Sequence, residues 1–388
     1  MSIKKYTSGS WVTVPYRKYG TDTDTITSLP KTIIGDGQPI SSYTIKGNMS
    51  QSGTPTPSNP VYPVETGDKT ANLCNGVFEQ GTLSEGSATG STYEQTKSSS
   101  ITTNRIRTAQ LVTCGGEVTI SCDFTKYQLY ILYYDANGQY TGQHSSSWNS
   151  SAVTTNQQYI GIAIRRLNDA DLSPNETDIK LMVNTGSTAK PYEPYGYKIP
   201  ISSNGVTTNI YLTEQLMKIG DTVDSLVSTG TVTYNIKKLV LTGQENIEWK
   251  KSTAYLGGFY TSWRNSFSGI NNGQFYCSHA QYVSDITDYQ QGTCYSDGSC
   301  NIRIMPDSST VQDWINYLAT QYANGTPVTI VYILLTPTTK TVTAPSIPTT
   351  EGANSITVDT TVQPSEFTAT WTGWHDSSVK EYDGTNWQ

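Results

Sequence analysis

The run YQLYILYYDANGQYTG, residues 127–142, constrains this chain more than any other stretch. It is a continuous apolar segment closed by Asn137-Gly138, the step that favours a tight hairpin turn, so it reads as a strand that folds back on itself. GGEVTISCDF, QQYIGIAIRRL and TDIKLMVNTG are further period-two or continuous apolar runs at similar spacing. Strands in this number predict a β-sandwich of jelly-roll type.

Composition points the same way. Charged residues make up only 15% of the 388, against roughly a quarter in an average soluble domain. Tyr (27), Gly (32) and runs of Ser and Thr dominate, which is the vocabulary of pleated surface and turns. A second sandwich is expected from Ile236 to about Thr343, opened by KKLVLTG and closed by PVTIVYILLTP. Inside it, DSSTVQDWINYLATQYANG predicts a short helix near 309–323. Ser308 or Ser309 is its expected cap, Val311, Trp314, Ile315 and Leu318 its apolar face, and Asn324-Gly325 its stop.

The expected fold class is therefore mainly β: two jelly-roll-like sandwiches joined by extended β segments. The boundaries read as an N-terminal joining segment 1–75, a first sandwich 76–195, a connector 196–235, a second sandwich with the helix 236–345, and a C-terminal β segment and hairpin 346–388. GTPTPSNPVYP, with four prolines, cannot sit inside a sheet and reads as an extended connector. Leu212, Leu216, Ile219 and Val223 stand at helical spacing, but Gly220-Asp221 interrupts them and β-branched neighbours favour strand.

A net charge of -7 with no basic stripe argues against nucleic acid. No apolar run is long enough for a membrane span, and the opening MSIKKYTSGSW has no apolar run behind its lysines, so neither membrane insertion nor a secretory signal is expected and the chain reads as soluble. Six scattered cysteines read as reduced thiols.

Catalytic chemistry finds no foothold. His144, His279 and His375 lie in no nucleophile setting. Cys277, His279, Cys294 and Cys300 are ligand types that zinc prefers, at spacings that fit no finger or ribbon. Asp285 and Asp288 read as turn residues rather than a carboxylate pair for glycoside hydrolysis. No enzyme, cofactor or metal is expected.

Sugar binding is the chemistry the composition permits, because pyranose faces stack on aromatic rings while polar neighbours read the hydroxyls. One candidate cluster gathers Tyr130, Tyr133, Tyr134, Asp135, Asn137 and Trp148, with Arg165 and Arg166 on an adjacent strand. The other runs along EWKKSTAYLGGFYTSWRNSF and includes Trp249, Tyr255, Tyr260, Trp263 and Arg264. The nominated residues are Trp148, Tyr133, Tyr134, Arg165, Trp263, Tyr260 and Arg264. Core aromatics would give the same runs, since at period two half of each strand points inward. Trp148 and Trp263 stand out for their polar loop neighbours.

Several phrases carry a resemblance: YTIKGNMSQSGTPTPSNPVYPVETGDKTANL, STAKPYEPYGYKIPI, IKKLVLTGQENIEW, ANGTPVTIVYILLTPTTKTVTAPSIPTTEGANSITVDTTVQPSE and VKEYDGTNW. The chain resembles the tail-associated minor structural and receptor-binding proteins, of baseplate or tail fibre, in phages and prophages of Gram-positive bacteria. The resemblance spans about two thirds of the chain and misses roughly 76–185 and 250–310. It implies a virion protein assembled in the host cytoplasm, built of β-sandwiches similar to carbohydrate-binding modules, with other virion proteins and a host cell-wall or surface polysaccharide as partners, and a homo-oligomer in which a trimer is favoured. A capsid-mounted head fibre or decoration, or a scaffold that binds no glycan, would use similar pieces. The resemblance also implies a role for the phrase found at both ends, IKKYTSGSWV and VKEYDGTNWQ, in which Ile3, Lys4, Tyr6 and Trp11 align with Val379, Lys380, Tyr382 and Trp387. Each looks like a small aromatic hairpin used as a joint.

Overall fold

A computed structural model describes residues 3–7, 10–14, 17–26, 32–36, 40–49, 51, 53–84, 87–98, 102–144, 148–253, 258–262, 270–343, 346–347, 353–358, 364–376 and 380–382. The protein is mainly β and sandwich-like in character. It divides into two compact units, residues 69–198 and residues 1–68 with 199–388.

In the unit 69–198, Tyr127–Tyr134 forms a strand and turns back into Tyr140–Gln143. The Asp135 carboxylate accepts the Asn137 and Gln139 backbone N–H groups at 2.8 and 2.9 Å, and Gly138 takes φ +71°, a conformation that glycine adopts without strain. Val153–Arg166 runs antiparallel along the other side of Tyr127–Tyr134, from Tyr127 opposite Arg166 to Tyr134 opposite Tyr159. Its first half also pairs with Val112–Ser121 and its end with Arg105–Thr108, which completes a seven-stranded sheet with Met182–Thr185 and Phe78–Gln80.

The central strand shows why its sequence is continuously apolar. Tyr127, Leu129 and Ile131 join Ile160, Ile162, Ile164 and Val183 in one core. Tyr130, Leu132 and Tyr134 join Leu83, Tyr93, Tyr140 and Ala163 in another. A strand covered on both faces has no need of polar alternation.

In the other unit, a seven-stranded sheet runs in the order 270–277, 328–341, 231–241, 225–227, 40–46, 366–376 and 17–26. It contains strands from both ends of the chain: Glu366–Asp376 lies between Arg17–Ile26 and Ile40–Lys46. A five-stranded sheet, 250–251, 259–262, 299–303, 293–296 and 281–282, contributes Phe259, Cys294, Cys300 and Ile302 to a core shared with Phe275, Val328, Ile330 and Tyr332.

The helix Val311–Ala323 caps that core. Trp314 and Leu318 are fully buried, Val311 packs at the margin, and Ile315 is only half-buried. The cap is Thr310, not Ser308 or Ser309, because Asp313 three residues on completes a reciprocal capping box with it. Asn324 and Gly325, the latter at φ +76°, end the helix. The ambiguous stretch at 212–223 is strand: Met217–Ile219 pairs with Thr222–Val223 around Gly220-Asp221. The proline-rich connector contains no strand, only an isolated bridge between Thr56 and Asn59. At the N-terminus, Ile3–Thr7 and Ser10–Val14 do form a hairpin, with Tyr6 opposite Trp11. Of the matching C-terminal phrase, Lys380–Tyr382 pairs with Thr32–Asp36, and residues 383–388, on which its hairpin would depend, lie outside the described ones.

Candidate functional site

Side-chain alternation sorts the first nominated cluster. Tyr133 and Tyr134 are sequence neighbours, so they leave the sheet on opposite faces. Tyr134 is wholly buried and its hydroxyl meets Thr96 Oγ1 at 2.6 Å, which removes it from any ligand's reach. Tyr133 packs at the edge of the other core and meets His144 Nδ1 at 3.0 Å. The two nominated tyrosines therefore do not form one platform.

Trp148 and Arg165 do come together. The bridge between Leu129 and Asn149 folds the Trp148 loop back beside Tyr130, whose ring lies 5.6 Å from the indole. Tyr130 is fully buried and donates its hydroxyl to Gln143 Oε1 at 2.6 Å, so it supports the half-buried indole from below. Register places Gln128, Arg165 and Arg105 in one row across three strands. The Arg165 and Arg105 guanidinium groups lie 5.1 and 5.2 Å from the Trp148 ring centre, within cation–π range. Arg165 donates Nε and Nη2 to Gln128 Oε1 at 2.9 and 2.7 Å. Arg105 was not nominated from sequence; the alternation in Arg105-Ile106-Arg107 is the signal that puts it on this face.

In the other unit, Trp263 and Arg264 lie outside the described residues, as does Tyr255. Trp249 is core, edge-on to Trp314 at 5.4 Å. Of the described residues of the second cluster, Tyr260 reaches a surface groove. The groove, of about 260 Å³, is lined by Tyr260, Lys251, Ser252, Thr253, Asp297, Ser299 and Asn301. Tyr260 stands directly opposite Asn301 in the strand pair Phe259–Ser262 and Ser299–Arg303. Asp297 Oδ1 accepts the Asn301 side-chain amide at 3.0 Å and the Ser299 N–H at 3.1 Å, which fixes the amide's orientation. Lys251 is anchored by donating to the carbonyls of Asp307 and, at 2.7 Å, Ser309. The site is thus one aromatic ring held among fixed amide, carboxylate, hydroxyl and ammonium groups.

The remaining reactive residues are structural in setting. His279 and Ser278 touch, Nδ1 to Oγ at 2.8 Å, but both are fully buried and Ser278 Oγ already accepts the Thr329 N–H at 2.8 Å. Burial lowers the His279 pKa and so favours the neutral ring. Cys277, Cys294 and Cys300 lie in the apolar core; burial pushes the Cys277 thiol up to about 11 and raises the other two well above the usual thiol value, against the thiolate that metal binding or catalysis requires. Among the described residues no group of three His, Cys, Asp or Glu could hold a metal ion. Asp285 caps a turn of 3-10 helix, accepting the Thr287 N–H at 2.9 Å.

Compared with known protein families, with curated proteins and with solved structures, the chain has no match.

Proposed function

We propose that this protein is a non-enzymatic structural component of a bacteriophage particle, in the tail tip, baseplate or fibre, that contributes to attachment by binding host surface polysaccharide. The observation that carries the binding half is the Tyr260 groove. A pyranose presents an apolar face and a rim of hydroxyls, and an aromatic ring among fixed Asn301, Asp297 and Ser299 offers the complement to both. Its volume of about 260 Å³ suits one or two sugar residues and not a large cofactor.

The virion half rests on the sequence resemblance to phage tail-associated proteins. A homo-oligomer is supported by the sheet edge at Arg17–Ile26, ten residues with no further strand partner among the described residues. Such an edge offers a row of backbone donors and acceptors to a second copy.

The test is saturable binding of the purified full chain to host cells, with antibody labelling of particles to locate it. Tyr260→Ala and Asn301→Ala are expected to weaken cell binding about tenfold or more while leaving the oligomer intact. Unchanged binding in both variants removes the groove from the reading. No binding by a folded oligomer that is present in particles leaves the head-fibre, decoration or scaffold role.

A further inference from the structure

The row Gln128, Arg165, Arg105 beneath Trp148 sets two like charges side by side with no counter-charge among the described residues. Arg105 and Arg165 are directly opposite each other in the antiparallel ladder between Arg105–Thr108 and Val153–Arg166. Like charges at opposed positions repel. Elsewhere in the same unit arginines are neutralised: Arg107 Nε donates to Glu79 at 2.7 Å, and Arg166 donates to Glu176 at 2.5 Å. Neither Arg105 nor Arg165 has a carboxylate within ion-pair distance among the described residues, although the chain carries 32 acidic against 25 basic residues.

The hydrogen-bonding state of the two groups is equally incomplete. Arg165 spends one edge of its fork on Gln128, and its Nη1 end meets no acceptor among the described residues. The Arg105 guanidinium makes no hydrogen bond to a described residue, and its Nε is buried without a partner. Two guanidinium groups are thus held against one indole, Arg165 oriented by Gln128, with donors that no described residue occupies. From this geometry we infer that Arg105, Arg165 and Trp148 form a binding site for an oxyanion carried on a polymer: a carboxylate of an acidic sugar or a phosphate of a phosphodiester chain. Planar forks bind such groups in bidentate fashion, and an indole beside them gives a sugar or polyol backbone a surface to lie on. The inference goes beyond the polar groove at Tyr260 and stands without it.

The test is calorimetric titration of the full chain with three probes: oligogalacturonate, a poly(glycerol phosphate) and neutral dextran. The expected result is binding of at least one anionic probe, weakened about tenfold or more in Arg105→Gln and in Arg165→Gln, unchanged in Tyr260→Ala, and falling with added salt. Oligogalacturonate alone identifies the carboxylate source, and poly(glycerol phosphate) alone the phosphate. Thermal melts without ligand supply a second readout. Removal of one of two repelling charges should leave the melting temperature of Arg105→Gln equal to or above that of the wild type, and sulfate should raise the wild-type value only. Failure of both anionic probes to bind, binding unchanged in both variants, or a large drop in the melting temperature of Arg105→Gln would overturn the assignment. Cell binding lost in Tyr260→Ala while the anionic probes fail would sink this site and leave the groove standing.

Discussion

Trp314 and Trp148 are the same side chain put to opposite uses. Trp314 lies on a helix with its ring stacked on Phe259 at 5.3 Å and nearly coplanar, edge-on to Trp249, and stacked on Tyr317 at 5.7 Å. Trp148 lies on a loop, half-buried, with one tyrosine beneath it and two guanidinium groups against it. The first ring is surrounded by apolar atoms and contributes by burial. The second lies against two cationic groups that no described carboxylate neutralises. What a ring touches, rather than that it is aromatic, separates a core residue from a candidate binding residue.

Substitution at Trp314 should therefore have the largest effect on stability. Trp314→Ala empties the junction of helix and two sheets and is expected to cost about 3 to 5 kcal/mol, read as a shift in urea midpoint for the unit formed by residues 1–68 and 199–388. A shift below about 1 kcal/mol would mean that the helix is not an integral part of that core.

The buried polar groups of the same unit give the next effect. Asp224 is fully buried and accepts N–H groups from Asn235 and Ile236 on one oxygen, at 2.6 and 3.0 Å, and from Met217 on the other at 2.9 Å. Asp224→Asn turns one acceptor into a donor facing a donor and is expected to cost about 2 kcal/mol. Burial pushes the Asp224 carboxyl up to about 7 from 3.8, against the pull of those N–H groups. The folded state thus holds this proton more tightly than the unfolded chain does, and the resulting stability is full below pH about 4 and lost as pH rises through about 7. His279 acts in the opposite sense: its lowered pKa gives stability that is present above 6.5 and lost as pH falls. In the wild type the two slopes oppose each other as pH falls below 6.5. Asp224→Asn should leave only the histidine's slope, so its urea midpoint should fall more steeply than the wild type's between pH 7.5 and 5.

Within the unit 69–198 the corresponding probe is Tyr134. Thr96 Oγ1 donates to the Tyr93 carbonyl at 2.7 Å, so the Tyr134 hydroxyl is the donor in its 2.6 Å bond to Thr96. Tyr134→Phe removes that donor from a buried oxygen and is expected to cost about 1 kcal/mol, with no change in binding of any saccharide. A binding defect in this variant would place Tyr134 nearer the functional surface than its burial does.

Much of this organisation was legible in the sequence, and the reasons for the rest are physical. Strand runs and the Asn137-Gly138 turn announce themselves because their signals are local. So does the helix, although its cap depends on a pairing between Thr310 and Asp313 that outranks the two serines before it. Faces are a different matter. A run such as YILYY, buried on both sides, carries no alternation from which to tell Tyr133 from Tyr134. Sites assembled by register are harder still: Arg105 meets Arg165, and Asn301 meets Tyr260, only once the strands are paired. The residues found by position in a polar loop, Trp148 above all, were those whose local context already differed from core.

The smallest stability effect is expected at Trp148, and it sharpens the comparison most. Its indole contributes partial burial over Tyr130 and two cation–π contacts to half-buried arginines. Trp148→Ala should cost about 1 kcal/mol or less, a fraction of the Trp314 value. The same substitution leaves Arg105 and Arg165 opposed with nothing between them and a ligand to hold their planes, so it should weaken binding of the anionic probe much more than it weakens the fold. A stability loss as large as that of Trp314→Ala, with unchanged affinity, would make Trp148 a second core residue and erase the distinction between the two rings.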